Sequence, residues 1–436
     1  MPSSIYDGLA LIPSGTSGPS LRRIPTNGRS LRGTEPRRAV GRTPREVWER
    51  RRIRVLFIGA HIGKGGGLAL QTFQIFTALR RHIDVDLLCL DAPGPHRTLL
   101  NHPGVHVAGR LEFPKGIASL RDALRQIRDD YDLFQILDPY YALPAAHLAQ
   151  ASPRVVFLGT DPRAELGWRY GPHVGLLTRL AIPPLLAGNP LIVNSQSLAT
   201  RFRWFHPRVI LGGVDAAKFE HLPSKEDARR SLGLRENGLL LATVCKVIPI
   251  KRVEWLLEIL RRLPDVSAVI VGGYSEEHYR DVYYRRLLAA YPDVLHRVTF
   301  TGEVPWAQVS TYLAAADVFV FPSRFEGLPN AVLEAMAAGL PVVASDIPPH
   351  HEMIEDGWTG FLASSATAMT RIVSNLAANP DRREKIGAAA RAFVREHLSS
   401  EACAQAFNAL YRRVLTQEAL PQKIPERIDI PRGQGG

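Results

Sequence analysis

The chain has 436 residues, 45% hydrophobic and 22% charged, an ordinary globular balance with length enough for two or three domains. Its three cysteines, Cys89, Cys245 and Cys403, lie far apart; that excludes a disulfide framework and metal-ligand spacing and fits a reducing compartment. No apolar run approaches the ~18 residues of a spanning helix, and the N-terminus lacks the apolar stretch of a secretory signal, so a cytoplasmic protein is expected.

The net charge of +12 is unevenly placed, because residues 1–54 are rich in arginine, hold no lysine and carry only four acidic residues. Residues 1–48, dominated by Ser, Gly, Pro and Arg, bury too little apolar surface to offset ordering entropy and are expected to form a disordered basic tail. Such a tail is either a solvated arm or a contact for anionic lipid, worth ~1 kcal/mol per basic residue near the surface.

From Ile53 onward strands and helices alternate. Apolar runs at 53–58, 83–90, 133–137, 154–158 and 190–193 read as strands, and a second series follows at 239–247, 266–271, 297–300, 317–321 and 341–344. The fold class expected is α/β, with two Rossmann-like, doubly wound parallel sheets facing across a cleft. Residues 49–215 form the first domain, 216–237 a polar linker and 238–397 the second domain. A helix at 398–418 is expected to pack back toward the first domain, and 419–436 to be a frayed tail.

The first strand runs into the glycine-rich stretch Gly59 to Gly67. A phosphate-binding P-loop is excluded, since Gly59 and Gly63 are one residue too close and Gly65 stands where a metal-binding hydroxyl belongs. A dinucleotide fingerprint fails as well, with Leu68 in place of the third glycine. What survives is a loop that either makes a tight turn or lets backbone N–H groups approach a ligand before a helix N-terminus.

The second series carries the chemistry. Residues 317–346 read as a strand ending at Pro322, a polar turn with Glu326, a helix opening at Pro329 that carries Glu334 in its second turn, Gly339 as its stop, and a further strand. That order puts two carboxylates and a helix N-terminus at the carboxyl edge of a parallel sheet, where open α/β folds bind ligands. Lys246 and Lys251 flank another strand-to-helix loop at the same edge. Cations and amide dipoles converging there suit a diphosphate, whose charge grows as it leaves a sugar.

Together these residues resemble a family. The span from about Ile53 to Leu415 is similar to the family-4 retaining glycosyltransferases (group 1), which have the GT-B fold. The resemblance rests on Gly66-Gly67 before an apolar helix, Val193-Asn-Ser195 leading to Gly213-Val214-Asp215, Val244 to Lys251, Gly302-Glu-Val304-Pro, and Glu326 to Glu334 embedded in PSRFEGLPNAVLEAMAAGLPVVASD. It implies a nucleotide-diphosphate-sugar donor and transfer with retention, by front-face attack without a stable covalent intermediate. Glu326, Lys246 and Lys251 take the catalytic roles. Glu334 holds the ribose, and Gly66, Gly67, Leu328, Pro329, Asn330 and Val304 complete the donor site. Lysines stand where other transferases use a metal ion, so neither a catalytic metal nor another cofactor is expected.

Two departures from the family pattern stand out. Lys246 replaces the usual arginine and loses its bidentate fork, and Cys245 replaces a glycine. The histidine that many members carry in the first domain is absent from Val155 to Asp161, which leaves Asp161 and Asp138 as alternatives either for polar contact or for capping a loop. Basic and aromatic side chains interleave at Trp168-Arg-Tyr170 and Arg201 to His206, and an apolar-basic stretch runs over 176–186. Such a surface suits a glycan or lipid-linked acceptor and a peripheral contact with anionic membrane; an ordinary packing helix is the alternative. No nucleic-acid-binding module accompanies the charge. Other readings are a nucleotide-sugar epimerase or phosphorylase of the same fold, or a non-catalytic binding subunit.

Overall fold

The structure is a computed structural model, and residues 51–60, 67–91, 97–163, 172–273 and 279–416 are described. The basic tail, Gly66, Trp168, Tyr170 and the end of the chain from 417 lie outside them.

Two parallel sheets organise the molecule. The first contains β1 (Arg54–Gly59), β2 (Asp84–Asp91), β3 (Val105–Arg110), β4 (Leu133–Ile136), β5 (Arg154–Leu158), β6 (Leu191–Val193) and β7 (Arg208–Val209), in the order 3-2-1-4-5-6-7. The second contains β8 (Leu239–Val244), β9 (Val266–Val271), β10 (Val298–Phe300), β11 (Val318–Phe321), β12 (Val342–Ser345) and β13 (Phe361–Ala363), in the order 10-9-8-11-12-13. Helices connect the strands. On the first sheet they are α1 (Gly67–Leu79), α2 (Lys115–Ile127), α3 (Ala142–Leu148), α4 (Pro172–Leu186) and α5 (Gln196–Arg201). On the second they are α6 (Lys225–Ser231), α7 (Val253–Arg262), α8 (Arg285–Ala290), α9 (Trp306–Ala315), α10 (Asn330–Ala337), α11 (Ala366–Ala378) and α12 (Pro380–His397), and α13 (Ser400–Leu415) ends the described chain.

The apolar runs become central strands because helices cover both faces of a parallel sheet. Val55 to Ile58, Val318 to Phe321 and Val342 to Ala344 are all essentially inaccessible to solvent. Strands β3, β7 and β13 escape the sequence reading because they lie at or near sheet edges. There β3 has a mixed, half-exposed pattern, while β7 and β13 have two and three residues. Strand β8 stops at Val244, short of the expected 247, where the chain turns into the loop before α7.

Residues 216–237 are more than a tether. Phe219, Ala228 and Leu234 sink into the core under the second sheet, and Arg229 is buried against Asp317 at 2.6 Å. Helix α13 packs on the other half, placing Cys403, Phe407 and Tyr411 among Phe57, Phe76 and Phe157 of the first sheet's core. The chain thus crosses between the sheets twice. The two crossings pair with each other through Val214 N–H to Leu398 O at 2.9 Å and Ser400 N–H to Val214 O at 2.8 Å.

Each sheet reverses its strand order beside its first strand, between β1 and β4 and between β8 and β11. Crevices at the carboxyl ends of such strands are the binding positions of open α/β sheets.

Candidate functional site

At the second reversal point the loops after β8 and β11 are tied together. Arg324 N–H donates to Ile250 O at 2.8 Å, Ser323 Oγ donates to the same carbonyl at 3.3 Å, and Ser345 Oγ donates to Ser323 O. This lacing brings Lys251, at the end of a 3₁₀ turn, onto Glu326: Lys251 Nζ and Glu326 Oε1 form a direct ion pair, with Nζ 5.3 Å from the centre of the Phe321 ring. Both side chains are largely buried, at 19% and 10% exposure. Lys246 stands on the same loop with its side chain exposed, and no partner holds its amine among the described residues.

Pro329, expected in the first turn of the helix, stands one place earlier as its cap, in an extended conformation, and Asn330 opens α10. Glu334 follows in the second turn, 5% exposed. The Trp306 indole N–H donates to Glu334 Oε1 at 3.2 Å, and Lys218 Nζ sits 3.0 Å from the centre of the Trp306 ring. Burial pushes the Glu334 carboxyl up to about 7, against the opposing pull of the Trp306 hydrogen bond and the Lys218 charge. Burial likewise lowers Lys218, countered by Asp215 and Glu334. Val304, Trp306 and Leu328 are half-buried and pack on the core under the second sheet.

His350 is a further buried neighbour. Its Nδ1 lies 2.6 Å from Ser345 O, its ring packs edge-on against Phe321, and Nε2 has no partner. Desolvation holds the imidazole below its usual value.

On the first sheet, Asp138 is spent on backbone: it accepts from the N–H groups of Ala60 at 2.9 Å and of Tyr140, Tyr141 and Ala142 at 3.1, 2.7 and 3.1 Å. It pins the end of β1 to the start of α3. Asp161 accepts a bidentate pair from Arg163, at 3.0 and 3.1 Å, and a longer bond from Arg201 at 3.4 Å. Burial alone would raise its pKa, but these guanidinium groups hold it below the usual carboxylate range. Gly67, the described member of the glycine pair, begins α1.

The two sheets face each other closely at this edge. Gly159 O lies 2.8 Å from where a Cβ on Gly327 would stand, and Arg201 stacks 5.1 Å from the Phe325 ring centre. Glu352, after β12, accepts from the N–H groups of Gln196 and Ser197 at 2.6 and 2.9 Å, at the start of α5. Between the sheets lie Gln71 and Asn194, both 1% exposed. The structure therefore gathers Lys251 with Glu326, and separately Glu334 with Trp306 and Lys218, at one carboxyl edge. Sequence reasoning missed Trp306, Lys218, Gln71, His350 and Glu352. Trp306 alone had a local signal, two residues beyond Val304.

Among the described residues no three His, Cys, Asp or Glu side chains are grouped to hold a metal, and no helix is long and apolar enough to cross a membrane.

Comparison with known proteins agrees with this geometry. The family described as Glycosyl transferases group 1 matches residues 238–379, the stretch that carries Lys246, Lys251, Glu326 and Glu334. A GDP-mannose-dependent alpha-(1-6)-phosphatidylinositol monomannoside mannosyltransferase of Mycolicibacterium smegmatis is 31% identical over 52% of this chain, which spans 62% of that relative's length. Its namesake from Mycobacterium tuberculosis is also 31% identical, over 58% of this chain and 67% of its own. Among solved structures, Anabaena HepE in complex with UDP and glucose superposes with a TM-score of 0.70 at 23% identity, covering 82% of this chain and 99% of that one. The paired sheets are thus the GT-B fold, and the chain belongs to the group 1 glycosyltransferases.

Proposed function

We propose that this protein transfers a sugar from a nucleotide-diphosphate-sugar donor to a glycan or lipid-linked acceptor, with retention of anomeric configuration, in cell-surface polysaccharide or glycolipid biosynthesis. The observation that carries the reading is the Lys251–Glu326 pair at the strand-order reversal of the second sheet, one loop away from Glu334. Donor binding exchanges partners there: the diphosphate takes Lys251, with Lys246 adding charge, and Glu326 turns to the hydroxyls of the sugar. Glu334 accepts from the ribose hydroxyls, and Trp306 yields its place on that carboxylate. Charge developing on the departing phosphate is stabilised by the two amines and the α10 N-terminus, each such donor being worth about 3 kcal/mol. The lysines do the work of a metal ion, so the reaction proceeds in EDTA.

The named relatives and neighbours support a nucleotide-sugar donor but differ in base, GDP-mannose in one and UDP with glucose in another, so the base is left open. A lipid-linked acceptor and a peripheral seat on the cytoplasmic face of an anionic membrane draw support from α4, which exposes Leu176, Leu177 and Leu180 beside Arg179, and from the exposed Trp204 under Arg203.

The test is a panel of nucleotide-diphosphate sugars in thermal shift, then transfer assays with the binder. One donor should raise the melting temperature, mass action adding about 2.7 kcal/mol of stability at a hundred times its Kd. Glu326→Ala should cut turnover roughly 100-fold or more, and NMR of the product should show the donor's anomeric configuration. A panel without a binder, or donor turnover unaffected by Glu326→Ala, overturns the reading.

A further inference from the structure

Gln71 and Asn194 present an unusual arrangement at the junction of the two sheets. Gln71 lies on α1, one turn past the glycine-rich loop, and Asn194 directly follows β6. Asn194 Nδ2 donates to Gly159 O at 3.0 Å and, more weakly, to Gln71 Oε1 at 3.4 Å. Two ends of this linked pair are left over: Gln71 Nε2 and Asn194 Oδ1 are buried and have no partner. A buried amide end without a partner costs about 1–3 kcal/mol, so two of them on one linked pair of side chains call for an explanation.

Their surroundings supply one. Gly159 O, which orients Asn194, lies against Gly327, the residue after Glu326. The Gln71 amide and a Leu328 methyl both reach the space above Gly212, 1.5 and 2.4 Å from where a Cβ would stand, so only glycine at 212 lets the two meet. The orphaned ends therefore lie where the first sheet's carboxyl edge touches the loop that carries Glu326. They comprise one N–H donor and one oxygen acceptor, which is the complement of an alcohol, a group that accepts and donates at once.

We infer that Gln71 and Asn194 form a hydroxyl-recognition pair that grips a sugar at the reaction junction and sets specificity from the first sheet. This rests on the transfer reading above and deepens it. The hydroxyl belongs either to the sugar being transferred or to the acceptor, and the arms of the test separate these.

Gln71→Met keeps the length of the side chain, removes the donor and gives up only the weak 3.4 Å bond from Asn194, whose shorter bond to Gly159 O stays. The ligand-free variant should melt at or above the wild-type temperature, because an unsatisfied buried donor has gone. Nucleotide diphosphate without a sugar should bind it as tightly as wild type. If the hydroxyl is the donor's, the sugar-bearing nucleotide should bind roughly 10-fold or more weakly; if the acceptor's, kcat/KM for acceptor should fall by that factor at constant donor affinity. Gln71→Glu, which puts an acceptor where the Nε2 donor stood, should lose at least as much. Wild-type values in both arms overturn the inference, and so does a ligand-free Gln71→Met that melts several degrees low, which makes the pair structural. A wild-type protein that binds no nucleotide-diphosphate sugar overturns the transfer reading first, and the inference with it.

Discussion

Glu334 shows how one residue couples burial to binding. Its carboxyl rises from 4.5 to about 7 because desolvation outweighs the Trp306 hydrogen bond and the Lys218 charge. Between those two values the folded protein holds a proton that the unfolded chain has already released. Stability therefore falls as pH rises across that window, by on the order of 3 kcal/mol, and the loss is complete above about 7. Glu334→Gln should flatten this part of the melting-temperature profile. On the proposed reading, the same ionisation leaves the carboxylate free to accept from two ribose hydroxyls, so donor affinity should be higher above pH 7 than below it in wild type and nearly level in Glu334→Gln. Calorimetric titration with the matched donor on either side of that value checks it. A wild-type profile without slope would mean that Trp306 and Lys218 keep Glu334 ionised throughout.

That Lys251 and Glu326 share one edge was legible because each sits on a short loop after an apolar strand, and neighbouring strands deliver such loops to one edge. The meeting of Gln71 with Asn194, and of Glu352 with α5, was not. They meet only because two sheets, each folded around its own core, close on one another, and no local spacing records that closure. Asp138 illustrates the converse. Its position at a strand end in the sequence fits catalysis or capping equally well, and only its four backbone donors decide for the cap.

Among elements, α10 has the narrowest tolerance, since it carries Glu334 and aims its first turn at the ligand edge. It ends at Gly339, whose φ of +81° favours glycine, and α12 packs across that end. A Cβ at Gly387 on α12 would lie 2.0 Å from Gly339 O, a backbone atom that cannot move aside alone. Gly387→Ala should therefore push the two helices apart and cost roughly 1–3 kcal/mol. A lowered denaturation midpoint with weakened donor binding would be the measured outcome, and a midpoint equal to wild type would show that the helices can slide. The central strands were readable because burial on both faces demands unbroken apolar runs. Edge strands such as β3 have no such demand, and their half-exposed sequences look like loop.

At the scale of the whole molecule the two sheets share more than a cleft. Glu352 reaches from one half to α5 of the other, Arg201 stacks on Phe325, and the paired crossings at 214 and 398–400 hold the halves side by side. Tyr411 adds a buried long-range bond, its hydroxyl donating to Gln135 Oε1 inside the first sheet's core. Tyr411→Phe leaves that oxygen without its partner and should cost about 1–3 kcal/mol, read as a lower thermal midpoint with donor affinity unchanged. An unaltered midpoint would show that α13 contributes packing alone.

The placement of α13 also has a consequence for biosynthesis. The first sheet is translated before the second, yet the aromatic side chains that seal its apolar face, Phe407 and Tyr411, follow the whole of the second sheet. Until then that face stays open to solvent and to chaperones, while the second half has every residue it requires and can fold first. Expressed alone, the first-sheet half should aggregate, and grafting α13 onto it through a flexible tether should restore solubility.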